Sequence, residues 1–297
     1  MKAMLLGSGI ATGVPTWNDG SEAALRARTR DPDLPRRRGV APAVTADGLR
    51  YALIEAPFHL AQTRAYDARF APAAGKRAVP IDSIVLTSAD LDACAGALAL
   101  RSGLAIRVAS AADLRADLID HDAAFRSLEP LWAGLKWNRP FALDRDARLE
   151  ARLLPLPGPV PDHLREDATG AGRARSGVRI TDLESGRRLV WAPRIEKLDS
   201  ATLAELRAAD VRFIDGTFYA ADEGRRVRPG ARSCFDLGHV PIDGRQGSLT
   251  SLAGMEGRSI YVHLSATNPI AEATSKEAIR VADAGVEIAS DGQEVEV

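Results

Sequence analysis

The sequence predicts an α/β sandwich whose functional site lies along one rim of its sheets. Three observations carry this: short apolar runs that stop at polar turns, helix-forming segments interleaved with them, and carboxylates and imidazoles gathered where the runs end. "MKAMLLGSG" reads as a buried strand ending at glycines, and "RYALIEA" and "SIVLTSA" repeat the pattern. Between the first two lies "RARTRDPDLPRRRGVAP", a basic, proline-punctuated stretch with the character of a surface loop, its arginines either solvated or facing a substrate.

After Asp92, "ACAGALALRSG" has helix-favouring alanine and leucine, "AIRVAS" a strand pattern and "AADLRADLIDHDAAF" a helical one, giving a strand-helix-strand rhythm. Further on come a strand, a Pro/Gly-rich loop from Pro155 to Ala174 long enough to be functional, and a hairpin turning at Glu184-Ser185-Gly186. "SATLAELRAA" is an amphipathic helix capped by Asp199 or Ser200, and "VRFIDGTF" a strand ending on Asp215-Gly216-Thr217. The last third repeats the scheme: "RSIYVHLSATNP" brings His263 to a strand end, "SKEAIRVADAGV" is a helix, and "EVEV" is a closing edge strand. No fixed-period repeat explains these pieces, and one layered domain over 1–297 is expected.

A chain of 297 residues, 45% hydrophobic and 27% charged, is long enough to bury a substantial core. Its 39 Lys and Arg nearly balance 40 Asp and Glu, so it has no general attraction for nucleic acid or an anionic membrane, and a small-molecule or peptide partner fits better. The apolar start of "MKAMLLGSGI" is too short for a signal segment or a membrane span, so a cytoplasmic location is expected. Only Cys94 and Cys234 are present, which excludes a disulfide framework and any Cys-x-x-Cys zinc knuckle and predicts buried free thiols.

The residues suited to chemistry are Asp90 and Asp92 in the turn "SADLDA", His163, Asp215, His239 in "DLGHVP" and His263 in "VHLSATNPI". Two histidines with one carboxylate suit a non-haem iron or zinc position. Each also has a structural role open to it. Asp90 can cap the following helix, Asp215 can hold its turn, His239 and His263 can be hydrogen-bonded core residues, and His163 can stand exposed in its Pro-rich loop. Gly7-Ser8-Gly9 does not complete a dinucleotide fingerprint and reads as a tight turn beside the pocket. There is no G-x-S-x-G elbow, so nucleophilic hydrolysis has little basis.

"LGSGIATGVPTWN", "ADLDACAGALALR", "LKWNRPF", "FIDGTFYAADE", "LGHVPI" and "HLSATNPI" together resemble successive signatures of the PqqB family, metallo-β-lactamase-fold proteins of pyrroloquinoline quinone (PQQ) biosynthesis, over essentially the full chain. The resemblance implies a four-layer αββα sandwich, a cleft at the rim between two sheets, and iron-dependent hydroxylation of an amino-acid-derived or peptide-derived intermediate. Matched position by position, Asp92, Asp215, His239 and His263 would be metal ligands. Asp92, His239 and His263 would be catalytic, and Trp17, Asn18 and Asn268 would contact substrate. Two departures fall in the chemistry: Ala93 stands where the family has a histidine, and "DGSEAALRARTRD" replaces a cysteine-rich knuckle, so no structural zinc is expected. Two outcomes follow. Either a reduced mononuclear centre, with iron as its metal, oxidises a small intermediate, or a metal-free scaffold binds or carries that intermediate without catalysis.

Overall fold

The computed structural model describes residues 1–10, 13–65, 67–100, 106–156, 158–164, 175–227 and 229–297. In chain order the strands are β1 (Lys2–Gly7), β2 (Ala41–Thr45), β3 (Tyr51–Ile54), β4 (Ile81–Val85), β5 (Arg107–Ala111), β6 (Trp132–Leu135), β7 (Phe141–Ala142), β8 (Leu149–Pro155), β9 (Ser176–Asp182), β10 (Arg188–Ala192), β11 (Val211–Asp215), β12 (Arg258–Val262), β13 (Val286–Ile288) and β14 (Glu294–Glu296). The helices are α1 (Glu22–Arg28), α2 (Leu60–Ala65), α3 (Leu91–Cys94), α4 (Ala97–Leu100), α5 (Ala112–His121), α6 (Ser200–Arg207), α7 (Glu223–Val227), α8 (Ser248–Leu252) and α9 (Lys276–Asp283).

The strands form two seven-stranded sheets, ordered β14-β1-β2-β3-β4-β5-β6 and β13-β12-β11-β10-β9-β8-β7. Each sheet is antiparallel on one side and parallel on the other: β3 to β6 run parallel in the first, β10 to β13 in the second. The chain returns at its end to add β14 antiparallel to β1, so "EVEV" does close an edge.

Alternation along the central strands of the second sheet builds two cores at once. Leu189 and Trp191, Val211 and Phe213, and Ile260 and Val262 join a core shared with Leu5, Leu53 and Ile84 of the first sheet. Their neighbours Val190, Ile214 and Tyr261 face the opposite way, onto Leu206 of α6, Leu249 of α8 and Val281 of α9. Burial on both faces is why these strands read as continuous apolar runs. Each fully buried side chain of Leu or Phe size contributes about 1.5–3 kcal/mol.

Two sequence-derived elements differ from the structure. The helix expected after Asp92 is broken into α3 and α4, because Gly96 donates its N–H to Ala56 O at 2.7 Å and a Cβ there would collide with the backbone of Pro57. The end of that segment, at 101–103, lies outside the described residues. The basic stretch before β2 is not simply a loop. It begins with the last turn of α1, a helix capped by Ser21, where Arg26 pairs with Asp31 at 2.7 Å and Glu272 at 2.8 Å, and it carries Arg37, which is buried.

Parallel strands direct their carboxyl ends to one rim, where a ligand cleft is expected in an α/β layer. Glu55 follows β3, Thr87 to Asp92 follow β4, Arg194 follows β10, Asp215 ends β11 and His263 follows β12.

Candidate functional site

At this rim Asp215, His239 and His263 converge. All three are buried, and one ligand atom from each lies within 4.8 Å of the others. Asp215 is fixed by its turn: Oδ1 accepts the Thr217 N–H at 3.1 Å and the Thr217 hydroxyl at 2.6 Å, and Oδ2 accepts the Ile195 N–H at 2.9 Å. His239 Nδ1 lies 2.7 Å from Asp215 Oδ2. The two imidazoles stack, 5.6 Å apart and 15° from parallel, and Phe218 meets His239 edge-on.

Gly238 sets the approach of His239. Its φ is +75°, and a Cβ would run into the Pro159 ring and the Arg175 guanidinium. His263 itself has φ +63°, a left-handed conformation that a non-glycine residue adopts at a cost of about 1–3 kcal/mol and that clusters at functional sites.

Thr217 Oγ1 is the common neighbour, 2.7 Å from His263 Nδ1 and 3.1 Å from His239 Nδ1 as well as bonded to Asp215. Asp92 Oδ2 lies 3.2 Å from the other nitrogen, His263 Nε2. Burial works against a charge on Asp92, but Arg194 and His263 hold its carboxyl below the usual carboxylate range. Burial, then the charge of Arg194, lowers His263 to about 4, against the pull of Asp92. The neutral imidazole therefore gives its single proton from Nε2 to the carboxylate, and its lone pair on Nδ1 faces Thr217. Asp215, which burial opposes but its two histidines sustain, is also held as the anion. One hydroxyl proton thus faces two acceptors, Asp215 Oδ1 and His263 Nδ1. Such a surplus of lone pairs, with a carboxylate and two imidazoles, fits a mononuclear non-haem iron or zinc ion held by Asp215, His239 and His263.

Asp92 belongs to a second cluster that meets the first at His263. Its Oδ2 accepts Arg194 Nη2 at 2.9 Å, while Arg194 Nη1 donates to Glu55 Oε1 at 2.9 Å and Arg194 Nε lies 3.7 Å from Asp90 Oδ2. Glu55 Oε1 also accepts the Thr87 hydroxyl at 2.7 Å and the Trp191 indole N–H at 3.2 Å, joining the two sheets through one oxygen. Glu55 has φ +69° and no exposed surface. Burial raises its carboxyl above the usual carboxylate range, and Arg194 opposes this only in part. Asp90 occupies the N-cap position of α3 without capping it, because its carboxylate accepts the Ser88 hydroxyl at 2.7 Å and Arg175 Nε at 3.1 Å.

Both clusters open into a cavity of about 440 Å³, with Asp92, Arg194, His239 and His263 at its floor and Phe58, Val160 and Leu237 among its apolar walls. His163 stands exposed on the same wall. The remainder of that loop, 165–174, lies outside the described residues.

The substrate-contact positions carried over from the family are elsewhere. Trp17 is 84% exposed, Asn18 is exposed beside it, and neither lines the cavity. Asn268 is buried as a strut, accepting the Ile270 N–H at 3.0 Å and donating to Gly216 O at 2.7 Å. Both cysteines are buried and free.

Sequence reasoning missed Arg194 and Glu55. The signal for both was the strand-end rule that selected the aspartates, in "RYALIEA" and "LVWAPRI".

This fold and site define a metallo-β-lactamase-like protein, and the beta-lactamase superfamily domain matches residues 50–264. The crystal structure of Zn2+-bound PqqB from Methylobacterium extorquens covers 100% of both chains with a TM-score of 0.92 and 30% identity. Coenzyme PQQ synthesis protein B of Xanthomonas euvesicatoria pv. vesicatoria is 30% identical over 301 residues, 99% of each chain. That of Methylobacterium radiotolerans is 31% identical over 299 residues, 98% of each. The chain belongs to the PqqB family of coenzyme PQQ synthesis proteins. The short form of human tRNase Z, 14% identical with a TM-score of 0.60 over 100% of this chain and 99% of its own, shares the fold alone. Among the described residues no helix is long and apolar enough to cross a membrane.

Proposed function

We propose that this chain oxidises a small, amino-acid-derived or peptide-derived intermediate of PQQ biosynthesis at a mononuclear centre held by Asp215, His239 and His263. The observation that supports it is the convergence of those three buried ligands, with their surplus lone pairs, beneath an open cleft that His239 and His263 line. Iron, when bound, supplies the one-electron and dioxygen chemistry that no side chain carries.

The chain's own residues do the rest. Asp92 fixes the His263 tautomer from the outer nitrogen, as a carboxylate behind a ligating imidazole does. Thr217 and the Ile195 N–H orient Asp215. Phe58, Val160 and Leu237 exclude water from one side of a bound intermediate, and His163 at the wall is within the cavity's reach as a polar contact.

Anaerobic reconstitution with ferrous iron tests the proposal. One iron per chain is expected, lost in His239→Ala and Asp215→Asn, with oxygen uptake on adding tyrosine-containing peptide. A folded protein that takes up no iron overturns it. One observation favours the second reading, a metal-free scaffold that binds or carries the intermediate: Arg194 already supplies a buried cation to Asp92. In that case peptide binding survives chelator, and no oxygen is consumed.

A further inference from the structure

Arg194 is a buried positive charge at the rim. Its side chain is 4% exposed, its guanidinium bridges Glu55 and Asp92 at 2.9 Å each, and Asp90 stands 3.7 Å from its Nε. Three carboxylates and the outer nitrogen of His263 therefore surround one fixed positive group. A set of hard oxygen donors and an imidazole is what a divalent cation would also use. Asp92 Oδ2 is the pivotal atom: it serves Arg194 Nη2 at 2.9 Å and His263 Nε2 at 3.2 Å together.

Arg175 does not relieve this arrangement, because it is spent on Asp90 and on the carbonyls of Leu237 and Gly238. Burial disfavours the charge on Arg194, and the three carboxylates, Asp92 foremost, outweigh that cost. A guanidinium has no lone pair to give and cannot be deprotonated in a protein, so it excludes a second cation by charge as well as by volume.

We propose that Arg194 is a resident cation that closes the Asp92 face of the site to metal, so that the chain takes a single ion on the Asp215 face. This rests on the mononuclear centre described under the proposed function. It also assigns Glu55 its role. A carboxylate buried between the sheets anchors the far side of the guanidinium, with Thr87 and Trp191 fixing the carboxylate in turn. Asp92 then becomes a positioning residue for His263, and the loss of a ligand at Ala93 is matched by a charge supplied from the segment after β10.

The test is equilibrium dialysis of the full, chelator-stripped chain against Zn(II), with metal counted per chain. The visible spectrum with Co(II) follows coordination independently, and circular dichroism reports the fold. Five proteins are compared: wild type, Arg194→Lys, Arg194→Met, Arg194→Met combined with Glu55→Gln, and that double variant with Asp92→Asn added. The double variant removes one positive and one negative group together, so it keeps the buried charge balance and decides the question whether or not the single methionine variant folds.

The expected result is one additional equivalent of Zn(II) in the double variant, with at least a tenfold gain in affinity over wild type at that position. Adding Asp92→Asn removes it again, and Arg194→Lys stays at the wild-type count. A folded double variant with the wild-type count overturns the proposal, as does an added equivalent in Arg194→Lys. If wild type binds no Zn(II), the three-ligand centre fails, while a gained, Asp92-dependent equivalent in the double variant still establishes Arg194 as the group that closes that face.

Discussion

Gly238 offers a controlled measurement of how tightly the rim is packed around His239. Gly238→Ala and Gly254→Ala place the same methyl group at nearly the same backbone angle, φ +75° and +76°. Gly254, just beyond α8, has open space where its Cβ would go, whereas Gly238 has the Pro159 ring and the Arg175 guanidinium. The left-handed angle alone costs an alanine roughly 1–2 kcal/mol, which is all that Gly254→Ala should lose. Overpacking adds about 1–3 kcal/mol, so Gly238→Ala should lose about 2–5 kcal/mol. Its effect also reaches the site. Arg175 donates to Gly238 O at 2.9 Å, and the next residue must keep its Nδ1 2.7 Å from Asp215. Urea unfolding of both variants gives the two losses, and Zn(II) titration should give at least a tenfold weaker affinity for Gly238→Ala only. Equal losses, or an unchanged affinity in Gly238→Ala, refute the steric account of how His239 is placed.

Two further outcomes follow from the same network. His263 is lowered from 6.5 to about 4, so the unfolded chain binds the extra proton first. Stability is fully present above about pH 6.5 and is lost as pH falls toward 4, by roughly 3 kcal/mol at 1.36 kcal/mol per pH unit. Asp92 and Asp215, both held below 3.8, extend the loss to lower pH. Urea midpoints of chelated protein at several pH values should therefore fall across this window in wild type and flatten in His263→Gln; an equal slope in both would remove His263 as the cause. Asp92→Asn keeps the shape but not the charge, and should weaken metal binding about 10–100-fold without changing the number of ions bound. Complete loss, as expected of Asp215→Asn, would instead make Asp92 a ligand.

Much of this arrangement was legible because strand ends are legible. "VRFIDGTF" and "RSIYVHLS" announce strands that stop at Asp215 and His263, and the structure adds that they run parallel and that Gly238 before His239 has no room for a side chain. The broken helix after Asp92 was not legible, because alanine and leucine favour helix locally while the close approach of Gly96 to Ala56 is a tertiary constraint. Trp17 and Asn268 show the limit of position-by-position transfer. A shared motif fixes the backbone neighbourhood, but here one side chain turns to solvent and the other braces a turn. Arg194 escaped notice for a different reason. Arginine at a strand end reads as a solvated charge until three acidic groups from two other strand ends are brought around it, and those lie 102 to 139 positions away for Asp92 and Glu55.

The two clusters are best understood through the imidazole they share. His263 has two nitrogens and, when neutral, one proton, so what one face does with Nε2 decides what Nδ1 can offer the other. With Arg194 in place, Asp92 is an anion whose position is fixed, Nε2 carries the proton, and Nδ1 presents a lone pair toward Thr217 and Asp215. Remove the guanidinium and the same carboxylate is a buried charge with a much weaker counterion. It must then take up a proton, draw a cation or swing away, and the first or last of these leaves His263 free to turn its proton toward Nδ1. The basicity of the Asp215 face is thus set from the Asp92 face, through one ring. On the proposed mononuclear reading, the charge of Asp92 orients His263 as a ligand without Asp92 itself being one, in a chain with alanine at position 93.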